Sequence, residues 1–251
     1  MIDIWSYPLL TLLAVFTAFI DAIAGGGGLI FLPALLLAGV PPVNALATLK
    51  MPTLAGSAMA LREFRAKGLI DPARHRMTFI AVAIGCVAGV LLVKSMPLRW
   101  LEVAIPVLLA IVALYLAIGT RRGDAVGRDR TGPRGYAPIG GLVGLYSGAF
   151  GPGAGSFFIA TLSAARGMGL TRATALTKLF NIACTATALI VWAILGDVWW
   201  GLGLAVALGG AIGGYLGSRT AIRYGARLIR PLIVATSLAL AAKLGFDYLA
   251  G

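Results

Sequence analysis

The chain has 251 residues, 59% of them hydrophobic and 12% charged, with a mean hydropathy of +0.93. Soluble domains carry about 25% charged residues, so a water-soluble globular protein is excluded and an integral membrane protein is indicated. The net charge of +12 does not point to nucleic acid, because the basic residues sit in short loops between hydrophobic runs and form no wet basic face.

The chain opens with MIDIWSYP, which holds Asp3 and no lysine or arginine before the apolar run, so no cleaved secretory signal is expected. A crossing of about 30 Å of hydrocarbon needs about 20 residues. The first apolar region, 5–40, is too long for one crossing and is interrupted at Gly25–Gly28. Single crossings follow at 43–61, 77–95 and 98–119, and then a linker at 121–136 that opens with the polar run RRGDAVGRDRTGPRG (121–135). The second apolar region, 137–165, is interrupted by GPGAGS at 151–156, where Pro152 removes a backbone donor. Crossings at 171–195, 198–218 and 228–249 complete the chain. The pieces after the interruptions, 29–39 and 157–165, have the length of half-helices. Cys86 and Cys184 both fall inside apolar runs and are read as buried free thiols, with neither a disulfide framework nor a metal site implied.

Basic residues decide the topology, since cytoplasmic loops collect them. Clusters lie at 62–76, at 121–134 and at Arg219, Arg223, Arg227 and Arg230. All three fall on one side only if each interrupted region enters and leaves the membrane on the same side. That arrangement puts 16 basic residues inside and only Lys94 and Arg99 outside, with Lys50, Lys178 and Lys243 left within helices or at their ends. Each half then holds one hairpin and three crossings, so the second half is inserted upside down. The expected fold is an all-α polytopic membrane protein of two inverted-topology repeats, 1–120 and 137–251, each a Gly-broken helical hairpin plus three transmembrane helices, with both termini outside. Such repeats place a substrate site near the bilayer midplane, at discontinuous helices.

An internal repeat carries the same message. Offset by 128 residues, Gly25 meets Gly153, Gly27 meets Gly155, Gly39 meets Gly167, Ala45 and Ala47 meet Ala173 and Ala175, and Lys50 meets Lys178. The glycines Gly25, Gly26, Gly27 and Gly28, with Gly151, Gly153, Gly155 and the adjoining Ser156, either cradle an anion with backbone amides at a helix N-terminus or only allow close helix packing. Lys50 and Lys178 each lie seven residues into a crossing, where a lysine is costly and marks a functional position unless its stem reaches the headgroups. Thr53 and Ser57 share a helical face with Lys50, and Asn181 and Thr185 share one with Lys178. Thr48 and Thr177 lie close by. These groups can hold a multi-oxygen anion between two cations, or bond between helices. Asp21, opposite Ala149 in the repeat, is a coupling-ion candidate that could equally cap the broken helix. His75 is read as a solvated loop residue, and Trp5, Trp100, Trp199 and Trp200 as an interfacial belt.

The run GGGG followed by Pro33, the NAxAxxK pattern from Asn44 to Lys50, and the second copy GPGAGS with TRATALTKLFN resemble the sulfite exporter TauE/SafE-like family of bacterial membrane permeases. The resemblance covers essentially the whole chain. It implies a secondary transporter in the bacterial cytoplasmic membrane for a small anion, sulfite or an organosulfonate, coupled to H+ or Na+ and open to homo-oligomerisation. An anion channel and a non-transporting accessory subunit are the alternatives. No catalytic residue, cofactor, metal or nucleic-acid partner is expected: the chain has no P-loop, no H-E-x-x-H and one histidine.

Overall fold

The computed structural model describes residues 6–97, 99 and 131–225. The crossings expected at 98–119 and 228–249, Trp5, Trp100 and nearly all of the linker lie outside the described residues. Every regular element among the described residues is helical: α1 (Ser6–Ala24), α2 (Gly27–Leu37), α3 (Pro42–Thr48), α4 (Lys50–Ala66), α5 (Arg76–Ser95), α6 (Ala137–Ala149), α7 (Ala154–Arg166), α8 (Leu170–Ile194) and α9 (Trp200–Tyr224). Single turns at Pro72–His75 and Gly132–Gly135 precede α5 and α6. Four stretches, Tyr7–Ala24, Pro72–Ser95, Leu170–Ile194 and Trp200–Tyr224, are long and apolar enough to cross a membrane. Exposed side chains such as Leu9, Leu12, Leu204 and Leu208 give them outward apolar faces suited to lipid. The protein is a multi-pass, all-helical membrane protein.

Four expectations are refined. The crossing expected at 43–61 is two helices, α3 and α4, meeting at Leu49. Pro52 has no N–H to donate to the Thr48 carbonyl four residues earlier, which interrupts the ladder there, while Leu49 itself keeps right-handed helical angles. Helix α9 runs past residue 218, so Arg219 and Arg223 are helical, and Arg219 pairs with Glu63 of α4 at 3.0 Å. Cys86 of α5 and Cys184 of α8 are not free thiols: they form a disulfide, with Cα atoms 5.4 Å apart, as close packing of α5 on α8 requires. His75 also departs from a purely solvated role, since its ring stands edge-on to Phe180 at 6.3 Å.

Glycines set the helix packing. On α9, Gly209, Gly213 and Gly217 recur every four residues and rest on the backbone of α1 at Thr11, Val15 and Phe19, so close that a Cβ on Gly213 would lie 2.9 Å from the Phe19 nitrogen. A second row, Gly210 and Gly214, rests on Pro52 and Gly56 of α4. Helix α5 meets α6 in the same way, Gly85 against Gly141 and Gly89 against Leu145. Lipid offers no hydrophobic drive for such association, so close backbone approach through small residues supplies the contact energy. These pairings cross the chain: α1 lies along α9, and α6 lies along α5.

Contacts at the two ends of the bundle place the turns. Asn44 donates to the Asp197 carbonyl at 2.8 Å, Lys94 pairs with the Asp197 carboxylate at 2.6 Å, and the Trp199 N–H donates to Thr48 Oγ1 at 3.2 Å. Tyr7 lies beside Gly201 at this end. At the other end Thr78 donates to the Pro133 carbonyl, Thr131 to the Ala165 carbonyl, and Gly225 stands against Thr171. Thus α1 begins, and the chain leaves α2, at the first end, whereas α6 begins and α7 finishes at the second.

Candidate substrate site

Both interrupted helices stop inside the bundle, and their stopping points touch. Gly25, with φ +76°, follows α1, and Gly151 and Gly153, with φ +85° and +78°, follow α6. These left-handed angles are open to glycine and turn the backbone away from its helix. A Cβ on Gly155 would fall 2.6 Å from Gly25 Cα, so only hydrogen permits the meeting. Two hydrogen bonds fasten it: the Ser156 N–H donates to the Gly25 carbonyl at 3.3 Å, and Ser156 Oγ donates to the Ala24 carbonyl at 2.7 Å. Ser156 is therefore a clamp between the two breaks.

Lys50 and Lys178 are 2% and 0% exposed. Each lies eight residues beyond the first helical residue of its arm, Pro42 or Leu170, or about 12 Å along the axis. Snorkelling is thereby set aside, since both ammonium groups find protein acceptors inside the bundle. Lys50 Nζ donates to the carbonyl of Ser147 on α6 at 2.7 Å. Lys178 Nζ donates to the Asp21 carbonyl on α1 and pairs with Asp21 Oδ2 at 2.9 Å. Each lysine thus reaches the last turn of the broken helix in the other half of the chain.

A small cavity of about 20 Å³, room for a single water, lies at this junction. Its walls include Gly25, Gly28, Gly151, Gly153 and Gly155 from the breaks, and Lys50, Thr53 and Asn181 from the lysine-bearing arms. Thr53 and Thr185 donate to the carbonyls of Leu49 and Asn181 in their own helices, which leaves their oxygens as acceptors. Of the expected site residues, Gly26, Ser156 and Lys178 are absent from these walls, and Gly27 faces an adjoining cavity with Thr17, Phe31 and Pro52. Thr48 is engaged at the bundle end with Trp199, and Thr177 donates to the Ala173 carbonyl. Asp21 lines both cavities, and its carboxylate takes Lys178 instead of capping α2, which has no side-chain cap. An anion between two free cations is therefore not what this geometry offers: Lys50 faces the cavity, and Lys178 stands behind Asp21.

Ser147 was not among the expected site residues. Through its lysine it occupies the place that Asp21 occupies in the first half. On this register 126 residues separate Asp21 from Ser147 and 128 separate Gly25 from Gly153, so the second break is two residues longer.

The profile of the family described as sulfite exporter TauE/SafE matches residues 10–244 of the chain. The chain belongs to the sulfite exporter TauE/SafE family. It is similar to a probable membrane transporter protein, ORF9, of Sinorhizobium sp, at 38% identity over 93% of this chain and 90% of that one. It is likewise similar to the probable membrane transporter protein YfcA of Escherichia coli strain K12, at 36% identity over 93% and 87% of the two chains. A probable membrane transporter protein of Haemophilus influenzae is 33% identical over 92% and 91%. No solved structure matches. The family membership and these relatives make this chain a membrane transporter of the TauE/SafE family, and the glycine breaks and lysines described above lie inside the matched span.

Proposed function

We propose that the protein is a secondary transporter for a small sulfur oxyanion, sulfite or an organosulfonate, working by alternating access around the junction of the two glycine breaks. The observation that carries this reading is the crosswise engagement of two buried lysines with the broken helices, Lys50 on Ser147 and Lys178 on Asp21. A buried lysine disfavours cationic cargo and favours an anion, and amides freed at a helix break add donors that carry no charge of their own. The family's description names sulfite export, which supports the sulfur class.

The reading includes two inverted-topology repeats in a bacterial cytoplasmic membrane, both termini outside. Support comes from the exchanged pairing of α1 with α9 and α6 with α5, and from the two broken pairs turning back at opposite ends of the bundle. A cavity with room for one water favours a carrier that must rearrange around its cargo over an open channel. Asp21 stays the candidate for coupling to H+ or Na+.

Purified protein in liposomes, offered labelled sulfite, sulfoacetate and methanesulfonate with and without a proton or sodium gradient, tests the reading. Saturable, gradient-dependent flux of one of them is the expected result. Absence of flux for every one of them overturns the sulfur-anion reading.

A further inference from the structure

Among the described residues, the walls of the cavity hold one cationic side chain, Lys50, and one anionic side chain, Asp21. Behind Asp21 stands Lys178, completely buried and paired with that carboxylate at 2.9 Å. Lys50 has a carbonyl partner, Ser147, which satisfies a donor and cancels no charge. With both lysines protonated and Asp21 ionised, the three groups together carry one net positive charge, held where little water can screen it. A singly charged anion brings this site to neutrality. A doubly charged anion of the same shape leaves a negative charge buried without compensation, a strongly unfavourable state in a poorly hydrated interior.

We propose that Asp21, by neutralising Lys178, sets the site at a single positive charge and thereby selects singly charged oxyanions over doubly charged ones. Asp21 is then a specificity-determining residue, and Lys178 acts through it as a positioning residue. The proposal rests on the anion-transporter reading and narrows it: hydrogen sulfite or a monosulfonate is the cargo form, and the sulfite dianion or a carboxylate-bearing sulfonate dianion is disfavoured.

Perchlorate and sulfate form a suitable pair of probes, because both are tetrahedral XO4 ions, they carry one and two negative charges, and neither titrates near pH 7.5. Their dissociation constants are to be measured by calorimetry on the full chain in lipid nanodiscs at matched ionic strength. The ratio of the sulfate constant to the perchlorate constant cancels differences in overall stability between variants. Asp21→Asn raises the site to two net charges and is expected to lower that ratio about tenfold or more. The double variant Asp21→Asn with Lys178→Gln restores a single charge and is expected to return the wild-type ratio. Lys178→Gln alone leaves no net charge and is expected to weaken both ions at least tenfold, although Lys178 is not in the cavity wall; this arm serves if Asp21→Asn does not fold. An unchanged ratio in Asp21→Asn, or unchanged perchlorate affinity in Lys178→Gln, overturns the proposal and leaves the transporter reading in place. Failure of the wild type to bind either ion also overturns the proposal, while the transporter reading is decided separately by the liposome flux of sulfite and the sulfonates.

Discussion

Lys50 Nζ and the Ser147 carbonyl meet at 2.7 Å, 97 residues apart in the chain, and the contact joins a helix of the first half to a broken helix of the second. Lys178 repeats it in the other direction on Asp21. Only Lys50 of the two borders the cavity, which separates their expected phenotypes.

Lys50→Met removes the cavity's cation while keeping a long apolar stem. Anion affinity is expected to fall about tenfold or more, the scale of losing one desolvated charge contact. The protein should still be obtained monodisperse, because the Ser147 carbonyl is left with an unfilled acceptor and no buried charge is orphaned. Wild-type flux in liposomes made with this variant would remove Lys50 from the site.

The contact of the two breaks predicts a sharp contrast among glycines. Gly155→Ala places a methyl carbon on the Gly25 backbone, with no flexible side chain to yield, and should cost about 3 kcal/mol or more. Gly39→Ala, at φ +83° with nothing within 4 Å, should cost only the about 1–2 kcal/mol of a left-handed angle. Thermal unfolding of the two variants in detergent should differ by many degrees; equal midpoints would deny the contact.

Gly213, buried on α9 against α1, and Leu208, exposed on the same helix, give a similar contrast. Gly213→Val should abolish the α1–α9 contact and reduce folded yield severely, since its Cβ would enter the Val15 carbonyl. Leu208→Val, at 68% exposure, faces outward and should leave yield unchanged. Size-exclusion profiles of the two variants after membrane extraction decide the matter.

The cysteine pair can be read chemically. Protein unfolded in detergent without reductant should take up no maleimide, and after reduction it should take up two equivalents, because the chain has two cysteines and they are joined. Two equivalents without reductant would return both to free thiols.

Much of the described fold was legible in the sequence because hydropathy reports it directly: the long runs at 77–95, 171–195 and 198–218 and the glycine interruptions reappear as α5, α8, α9 and the two breaks. The interruption at Leu49 also had its signal in Pro52. Arg219 was assigned to a loop because charge was read as a boundary; Glu63, distant in sequence, lets it stay on a helix. Within the site, Lys50, Asp21 and the glycines carried visible signals, either a costly charge or a missing side chain. Ser147 carried none, since its contribution is a backbone carbonyl. The ungapped repeat further hid it by setting Ala149 opposite Asp21. Cys86 and Cys184, 98 residues apart, offered no pattern that distinguishes a pair from two small hydrophobes.

The crosswise lysines carry a consequence for dissection of the chain. Residues 6–97 alone would contain an ammonium group without its acceptor and an aspartate without its counter-ion, and residues 131–225 alone would present the complementary deficits. Neither fragment can assemble the cavity, yet each supplies what the other lacks. Co-expressed as separate polypeptides, the halves have a polar, partly ionic reason to find one another in the bilayer, in one register and one relative orientation.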